Sequence, residues 1–209
     1  IDPKCSGCEY PDKNLAGVGV SFKLCQALWE NIRNESFTKY LDIVALGTVA
    51  DIVPLTGENR KIVKQGLSMI QNCGLIELLT LCNLQKDNIT AGHIGFIIGP
   101  RLNAAGRLKH AGIGVELLLT EDKIRAHELA VMLDDENKIR QQLVEETFIE
   151  AAEMVRQNGY DKSTMIVAAG VNWHQGIIGI VASRLVDEFY RPAIVISIGE
   201  DGIGKGSCR

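Results

Sequence analysis

Four short segments of the sequence combine residue types that could act on phosphate groups. The first is TVADIVPL, residues 48–55, in which Asp51 is a single carboxylate in a strongly apolar setting. A buried carboxylate is costly unless a metal ion, a cation or several backbone N–H groups offset its charge. Asp51 is therefore predicted either as a metal ligand at the end of a core strand, where α/β folds place their ligands, or as a helix-cap or turn carboxylate.

The second segment is RLNAAGR, in which Arg101 and Arg107 bracket Asn103 and a run of small residues. Small residues let the backbone approach a ligand closely, and the planar guanidinium group is suited to phosphate. The alternative is a tight helix-packing turn with two solvated arginines. Composition alone favours neither interpretation.

The third segment is NWHQGIIGI, residues 172–180, between a predicted strand and a predicted helix. Free N–H groups at a helix N-terminus favour anions, so this turn could bind a phosphate. His174 could add a donor, and Trp173 offers a face on which a base could stack. A lone histidine can equally have only a structural role.

The fourth segment is GIGKGSCR, residues 202–209, which contains Ser207 and Arg209 among glycines. It resembles a phosphate-binding turn, but it has neither the G-x-x-x-x-G-K-[ST] nor the G-x-G-x-x-G spacing. Alone, this segment is a weak signal.

Periodic apolar residues predict the elements that position these segments. In order, they are a buried helix at 15–31, an apolar run at 40–49 that fits a strand or a short core helix, an amphipathic helix at 59–73, a short helix at 75–82 and an apolar run at 90–98. The longest periodic stretch, 120–158, predicts one long helix or two in line, capped by Thr120 and ended by Gly159.

The last part of the sequence predicts a β-α-β unit. Residues 163–169 and 193–198 are predicted as buried strands, and residues 176–190 between them as a helix. Two strands joined by a helix in so few residues form a parallel pair with a right-handed crossover. The predicted fold class is α/β.

Composition and net charge narrow the class of protein. The chain has 209 residues, 46% of them hydrophobic and 23% charged, which is typical of a globular protein. It has no apolar run long enough to span a membrane and no signal peptide, and its net charge of −4 argues against a broadly basic nucleic-acid surface, although not against a local basic site. Both chain ends indicate a piece of a longer protein.

Cysteine usage points to a reducing compartment. The six cysteines are scattered, so we expect reduced thiols and a cytoplasmic protein. Cys5 and Cys8 form a lone C-x-x-C pair, whereas a zinc site needs two further ligands. His93 and His110 lie far away in the sequence, and no metal is assigned to the pair.

Taken in order, ALGTVADIVPLTGENR, GPRLNAAGRLKHA, NWHQGIIGIVASRL and GKGSCR resemble the DHH/DHHA1 phosphoesterase superfamily, and within it the RecJ-type single-stranded-DNA-specific exonucleases. The opening DPK…YPDKNLAGVGVSFKLCQAL resembles the segment after the DHH motif in that family. The resemblance implies the C-terminal part of a DHH domain at 1–119, a connecting helix at 120–158 and the start of a DHHA1 domain at 159–209. It also implies hydrolysis of single-stranded DNA from the 5′ end in repair and recombination, with two Mn²⁺ or Mg²⁺ ions.

The resemblance also assigns residues. It implies that Asp51 is a catalytic metal ligand, and that Asn103 and Arg107, with Arg101 in the same motif, bind phosphate. His174 matches a polar turn facing the substrate, and Ser207 with Arg209 match the residues that hold the terminal 5′-phosphate. The implied partners are single-stranded DNA, a single-strand-binding protein and a helicase. The implied protein is a monomer with no membrane attachment.

The sequence departs from the family pattern because it contains no Asp-His-His and none of the earlier aspartate motifs. We therefore expect this polypeptide alone to lack nuclease activity. One alternative is a DHH-family phosphodiesterase of oligoribonucleotides or cyclic dinucleotides, which usually carries a Gly-Gly-Gly-His-type motif that GSCR replaces here. Others are a non-catalytic DNA-binding relative and, more remotely, a nucleotide-cofactor enzyme built on the β-α-β unit.

Overall fold

The computed structural model describes residues 2–108 and 111–209, which form two compact units. Lys109 and His110, the end of the predicted GPRLNAAGRLKHA motif, lie outside the described residues, as does Ile1. The helical unit comprises the described residues of 1–105 and 111–134, and the sheet unit those of 106–110 and 135–209.

The helical unit is built from short helices. They are α1 (Gly17–Arg33), α2 (Leu41–Ala50), α3 (Gly57–Ser68), α4 (Cys73–Leu81), α5 (Ala91–His93), α6 (Gly99–Leu108), which runs on into the sheet unit, α7 (Gly112–Leu119) and the start of α8 (Lys123–Gln157). Leu75, Leu78, Leu117 and Leu133 are fully buried members of one apolar core. The apolar run at 40–49, for which strand and helix were both open, is therefore helix α2.

A buried carboxylate does occur in this unit, but it is Asp42 and not Asp51. Asp42 is 5% exposed, and its Oδ2 accepts hydrogen bonds from the backbone N–H groups of Gln71 and Asn72 at 2.9 and 2.8 Å. These bonds offset the desolvation of the charge. They tie α2 to the turn that begins α4.

The second segment, RLNAAGR, is helical and continues directly from the apolar run at 90–98. Residues 91–108 form one continuous helix, with a π-helical turn at Ile94–Ile98 between α5 and α6. In that wider turn the N–H of Gly99 donates to the carbonyl of Ile94, five residues earlier. Pro100 has no N–H to donate, so a local irregularity at this point lets the helix continue through a proline.

The sheet unit confirms the predicted β-α-β order, with β1 (Ile166–Val171), α9 (Ile178–Phe189) and β2 (Ala193–Ile198). Strands β1 and β2 are parallel, with Ile166 opposite Ala193. The Gly-rich segment expected to be a turn is instead a third strand, β3 (Gly204–Cys208), antiparallel to β2. The sheet order is β1-β2-β3.

The long periodic stretch is the single helix α8, of 35 residues. Its residues up to 134 belong to the helical unit, where Ala126, Leu129 and Leu133 are core residues. Its later residues belong to the sheet unit, where Ala151 and Val155 are buried. The domain boundaries 1–119, 120–158 and 159–209 stay a prediction. Within residues 2–108 and 111–209, no helix is both long and apolar enough to cross a membrane.

Candidate functional site

Asp51 is the C-cap of helix α2, so of the two positions left open by the sequence the helix end is observed and the end of a core strand is not. Its backbone N–H closes the helix by donating to the carbonyl of Gly47 at 3.0 Å. The side chain is exposed, so no desolvation of the carboxylate has to be offset. Among the described residues its two carboxylate oxygens have no hydrogen-bond or ion-pair partner, which leaves both available to a ligand.

An open depression of about 360 Å³ surrounds this carboxylate, and we call it the Asp51 surface. It is lined by Gly17, Val18, Gly47, Ala50, Asp51 and Asn103. Asn103 is exposed on α6, so the structure brings together two of the predicted site residues that are far apart in sequence. A Cβ added at Gly47 would come within 2.9 Å of Val18, so the absence of a side chain there lets α1 and α2 approach.

The backbone directly after Asp51 is in an uncommon conformation. Ile52 has φ of +57° and its side chain is 89% exposed. A β-branched residue with positive φ is a steric outlier, and such outliers cluster at functional sites.

The Asp51 surface is not a complete metal cage. Among residues 2–108 and 111–209, no group of three or more His, Cys, Asp or Glu side chains could hold a metal ion. A carboxylate and an amide are the oxygen donors that Mg²⁺ or Mn²⁺ prefers, but these ions need more ligands than two side chains supply. The side-chain oxygens of Asp51 and Asn103 are therefore suitable ligands for such an ion, but two ligands do not complete its coordination.

Arg101 is held inside the helical unit. Its Nε donates to Oδ1 of Asp134 and its Nη1 donates to the carbonyl of Ile97, both at 2.8 Å. The bridge to Asp134 joins α6 to α8 and is largely shielded from water. A phosphate role for Arg101 stays a prediction, and the bonds in the structure give it a structural role.

In the sheet unit, Ser207 and Arg209 lie against the first turn of α9, and we call this the Arg209 surface. A Cβ added at Gly179 would lie 3.1 Å from both Oγ of Ser207 and Nη2 of Arg209. Ile177, the N-cap of α9, has no side-chain cap bond, so no capping side chain occupies the helix N-terminus. A guanidinium, a hydroxyl and a helix N-terminus are all groups that can donate hydrogen bonds to an anion.

His174 and Arg107 meet at the loop before α9. A Cβ added at Gly176 would come within 2.1 Å of the carbonyl oxygen of Arg107, so only glycine fits this close approach. Nη1 of Arg107 donates to the carbonyl of Gly176 at 3.2 Å, and the Gly176 N–H donates to Nδ1 of His174 at 3.0 Å. Because Nδ1 accepts this bond, the neutral ring carries its proton on Nε2, which can donate to a ligand.

Trp173 does not offer the predicted stacking face. It is 6% exposed, its Nε1 donates to Oε2 of Glu150 at 2.9 Å, and its ring covers Gly170. The indole is a core residue of the sheet unit because burial of its apolar rings is favourable, while its N–H still finds an acceptor.

The sequence did not predict that Lys205 and Gln175 meet at this loop. Nζ of Lys205 donates to Oε1 of Gln175 at 3.1 Å. Residues 205, 207 and 209 alternate along β3 and its end, so they share one face of the strand. Had the segment been assigned as a strand, this two-residue spacing would have placed Lys205 beside Ser207 and Arg209.

Comparisons with known proteins agree with this fold. No family profile matches the sequence. The chain is 47% identical over 213 residues to the single-stranded-DNA-specific exonuclease RecJ of Bacillus subtilis, covering 100% of this chain and 26% of that protein. The RecJ of Escherichia coli is 40% identical over 227 residues, covering 100% of this chain and 39% of that protein.

Solved structures show the same relationship. The Mg²⁺ complex of Thermus thermophilus RecJ superposes with a TM-score of 0.82 at 33% identity, over 96% of this chain and 31% of that one. An exonuclease RecJ bound to manganese gives a TM-score of 0.84 at 34% identity, over 97% of this chain and 50% of that one.

The chain is thus an α/β protein with a long helix and a small sheet, folded like part of RecJ. Identity at this level over the full chain confirms the resemblance seen in the motifs, and the chain belongs to the RecJ family. It spans about a quarter to two fifths of the length of the curated relatives it matches.

Proposed function

We propose that the chain forms part of a metal-dependent 5′→3′ exonuclease that hydrolyses phosphodiester bonds of single-stranded DNA in repair and recombination. One observation carries the proposal, namely that the whole chain matches proteins named single-stranded-DNA-specific exonucleases. The geometry supports it because the structure has an exposed, unpaired carboxylate in one unit and an anion-binding arrangement in the other.

Asp51 is the proposed metal ligand. RecJ has been crystallised with Mg²⁺ and with Mn²⁺, and the free carboxylate oxygens of Asp51 are the donors that such ions select. A bound divalent ion would activate water and neutralise charge on the scissile phosphate. Asn103, on the same surface, would orient a phosphate oxygen or a ligand water through its amide.

Ser207 and Arg209 are the proposed receptor for the terminal 5′-phosphate. A terminal phosphate carries more charge than an internal one, so a guanidinium beside a helix N-terminus favours it. His174, donating from Nε2, and Arg107 at the same loop would hold a neighbouring phosphate. Selection of a charged 5′ end would account for the direction of digestion.

The test digests 5′-phosphorylated and 5′-hydroxyl single strands with Mn²⁺, using the protein that carries this sequence. Asp51→Ala should lower the rate on both substrates by about 100-fold or more, because a metal ligand contributes several kcal/mol to the transition state. Arg209→Ala should remove the preference for the 5′-phosphate and leave digestion of the 5′-hydroxyl strand near wild type.

Matched controls are available in both units. Asp87 is an exposed carboxylate of the helical unit, and Arg191 is an exposed arginine of the sheet unit bonded to the Ser163 carbonyl. Asp87→Ala and Arg191→Ala should change neither rate nor preference. Normal digestion by Asp51→Ala would make Asp51 a structural residue. Faster turnover of oligoribonucleotides or cyclic dinucleotides than of single-stranded DNA would favour the small-substrate phosphodiesterase instead.

The proposal extends to the setting of the reaction. We place the protein in the cytoplasm as a monomer, acting on single-stranded DNA alongside a single-strand-binding protein and a helicase. The six cysteines are all free thiols, which supports a reducing compartment.

A further inference from the structure

Lys205 is a cation whose charge no carboxylate neutralises among the residues that the structure describes. Its Nζ donates a hydrogen bond to Oε1 of Gln175 at 3.1 Å, and Gln175 is a neutral amide. The carboxylates nearest in sequence, Glu200 and Asp201, form no ion pair with it, and Oδ1 of Asp201 accepts from the backbone N–H of Ile203 instead. Exposed lysines are common, so the inference depends on where Lys205 lies.

Lys205 shares one face of β3 with Ser207 and Arg209, because alternate side chains of a strand lie on the same side. A Cβ added at Gly206, between them, would instead contact Ile196 on the opposite face. Nη1 of Arg209 donates to Oγ of Ser207 at 3.3 Å, and the strand rise places Lys205 about 7 Å from Ser207 along the backbone. Strand β3 therefore presents an ammonium, a hydroxyl and a guanidinium in one row.

The loop before α9 is fixed beside this end of β3. Lys205 is paired across the sheet with Ser197, whose hydroxyl donates to the carbonyl of Trp173, two residues before Gln175. Trp173 is buried, and its Nε1 donates to Glu150 at 2.9 Å. Gln175 is therefore held where its amide oxygen orients the ammonium of Lys205 without cancelling the positive charge, as a glutamate there would do.

We propose that Lys205 binds an internucleotide phosphate close to the 5′ end of a single strand, while Ser207 and Arg209 hold the terminal phosphate. The proposal rests on the proposed function, because it takes the Arg209 surface as the receptor for the 5′ end. A lysine suits this second contact, because its point charge on a flexible stem can follow a phosphate that has no fixed orientation. The planar guanidinium of Arg209 suits the terminal group, which it can contact through two N–H donors.

The row of donors favours a chain of phosphates over one small anion. A single inorganic phosphate could contact Ser207 and Arg209 together, because Oγ of Ser207 and Nη1 of Arg209 are 3.3 Å apart. Lys205 lies two residues further along β3, and its ammonium is bonded to the loop before α9. A second phosphate is therefore needed to use this charge, and a nucleic acid strand supplies one.

The test measures binding of 5′-phosphorylated oligo-dT, labelled at its 3′ end, to the protein that carries this sequence. Anisotropy is recorded without divalent ions, so that no strand is cleaved. Lys205→Met should weaken binding roughly 3- to 10-fold, because it removes one charged hydrogen bond that is exposed to water. The slope of log affinity against log salt should fall by about 0.7, the share of one phosphate contact on a single strand. Lys162→Met, at another exposed lysine of the sheet unit, should match wild type.

Gln175→Glu separates phosphate binding from a purely structural role of Lys205. The change keeps the size of the side chain and an acceptor for Nζ of Lys205, but it neutralises the ammonium. A structural contact would be kept or strengthened by the new ion pair, and affinity for the strand would stay as in wild type. We expect instead that affinity falls at least as far as in Lys205→Met, with the unfolding midpoint unchanged. Wild-type affinity in Gln175→Glu would overturn the proposal.

A scan with methylphosphonate linkages, which carry no charge, locates the phosphate that Lys205 binds. Neutralising one of the first three linkages should weaken binding to wild type, and the same linkage should cost nothing further in Lys205→Met. Equal losses in both proteins at every linkage would contradict the assignment of Lys205. So would a Lys205→Met protein that binds the unmodified strand like wild type.

The outcomes also distinguish this inference from the proposed function. If wild type binds 5′-phosphorylated and 5′-hydroxyl strands equally, the receptor at Arg209 fails, and the role of Lys205 fails with it. If Arg209→Ala removes a preference that wild type has, while Lys205→Met binds normally, only the role of Lys205 fails. Lys205→Met itself should keep the preference for the 5′-phosphate, because Ser207 and Arg209 remain in place.

Discussion

Glu58 links three segments of the helical unit through its carboxylate. Its Oε2 accepts a hydrogen bond from the hydroxyl of Tyr10 at 2.5 Å, and its Oε1 lies 2.9 Å from Nζ of Lys23. Partial burial raises the pKa of Glu58, but the bonds from Tyr10 and Lys23 outweigh it, so the pKa is lowered from its ordinary value of 4.5. Burial, with the bond to Glu58, raises the pKa of Tyr10.

The lowered pKa predicts a pH dependence of stability. The contribution of Glu58 is fully present above about pH 4.5, its unfolded value, and is lost as the pH falls through the lower folded value. Glu58→Gln should lower the free energy of unfolding near neutral pH by up to about 1 kcal/mol, because the pair is partly exposed, and should flatten the acid decline. Urea unfolding between about pH 3 and pH 8 measures this.

Glu30 supplies the control for that series, since it is an exposed glutamate on α1. Glu30→Gln should leave the shape of the stability curve unchanged. A Glu58→Gln protein with the same acid decline as wild type would show that other carboxylates dominate it.

Residue types alone did not reveal which side chain of a segment is buried. Asp42 and Asp51 lie at the two ends of the apolar helix α2. The sequence pattern shows a carboxylate at each end but does not indicate which of the two is buried. Asp42 is buried because the turn at 71–72 supplies backbone donors from a distant part of the chain. Trp173 failed as a stacking face for the same reason, since its acceptor Glu150 lies on another element.

At the scale of elements, helices of the helical unit approach each other through glycines. A Cβ added at Gly74 would lie 1.9 Å from the carbonyl oxygen of Leu117, so the backbones of α4 and α7 meet with no side chain between them. A Cβ at Gly66 would lie 2.2 Å from the carbonyl of Leu41, where α3 meets α2. Backbone atoms cannot rotate away, so a methyl group there must displace a whole helix.

We predict that Gly74→Ala lowers the free energy of unfolding by about 3 kcal/mol, because overpacking against backbone strains the core. Gly112, at the start of α7, has nothing within 4 Å of an added Cβ. Gly112→Ala should therefore be neutral or stabilise by up to about 1 kcal/mol, because alanine favours the helix. Denaturant unfolding of the two variants compares them, and equal stabilities would contradict the role of Gly74.

Helices and strands were predicted correctly where apolar residues recur regularly over a long stretch of sequence. They were missed where glycine and proline dominate. Helix α8 and the β-α-β unit follow from sustained periodicity, since burial on one face leaves a regular pattern. Residues 99–107 contain a proline and glycines but are helical, because the preceding π-helical turn accommodates Pro100. Strand β3 has glycines where a typical strand has alternating apolar residues, so its sequence does not indicate a strand. Its extended conformation is held by pairing with β2.

At the scale of the whole molecule, tertiary contacts bring together site residues that are far apart in the sequence. Asp51 and Asn103 line one depression because α1, α2 and α6 pack through small residues. Arg209 lies beside Gly179 because β3 pairs antiparallel to β2 next to α9. Single-sequence periodicity carries no information on either contact. The motifs could be identified from the sequence because each is a short run with its own chemistry, whereas their groupings required the fold.

The number of metal donors predicts how the 209-residue chain behaves alone. The described residues include no group of three or more potential ligands. Mn²⁺ and Mg²⁺ prefer six oxygen ligands, of which waters and substrate phosphates can supply several, but two ions held side by side need more carboxylates than Asp51 alone. The proposed anion binding at Ser207 and Arg209 would need no metal, because it would use the guanidinium and the α9 N-terminus. We therefore expect the chain to bind a 5′-phosphorylated single strand more tightly than a 5′-hydroxyl one, and to release no mononucleotides with Mn²⁺.

Anisotropy and a mononucleotide-release assay measure these two properties on one preparation, with the Bacillus subtilis relative as the positive control for cleavage. Arg209→Ala should remove the preference in binding, because it removes the charge that the terminal phosphate meets. Asp51→Ala should leave binding of the 5′ end unchanged, because its carboxylate lies in the other unit. Release of nucleotides at the rate of the relative would show that fewer donors than expected suffice, and the assignment of Asp51 as one ligand of a larger set would then be wrong.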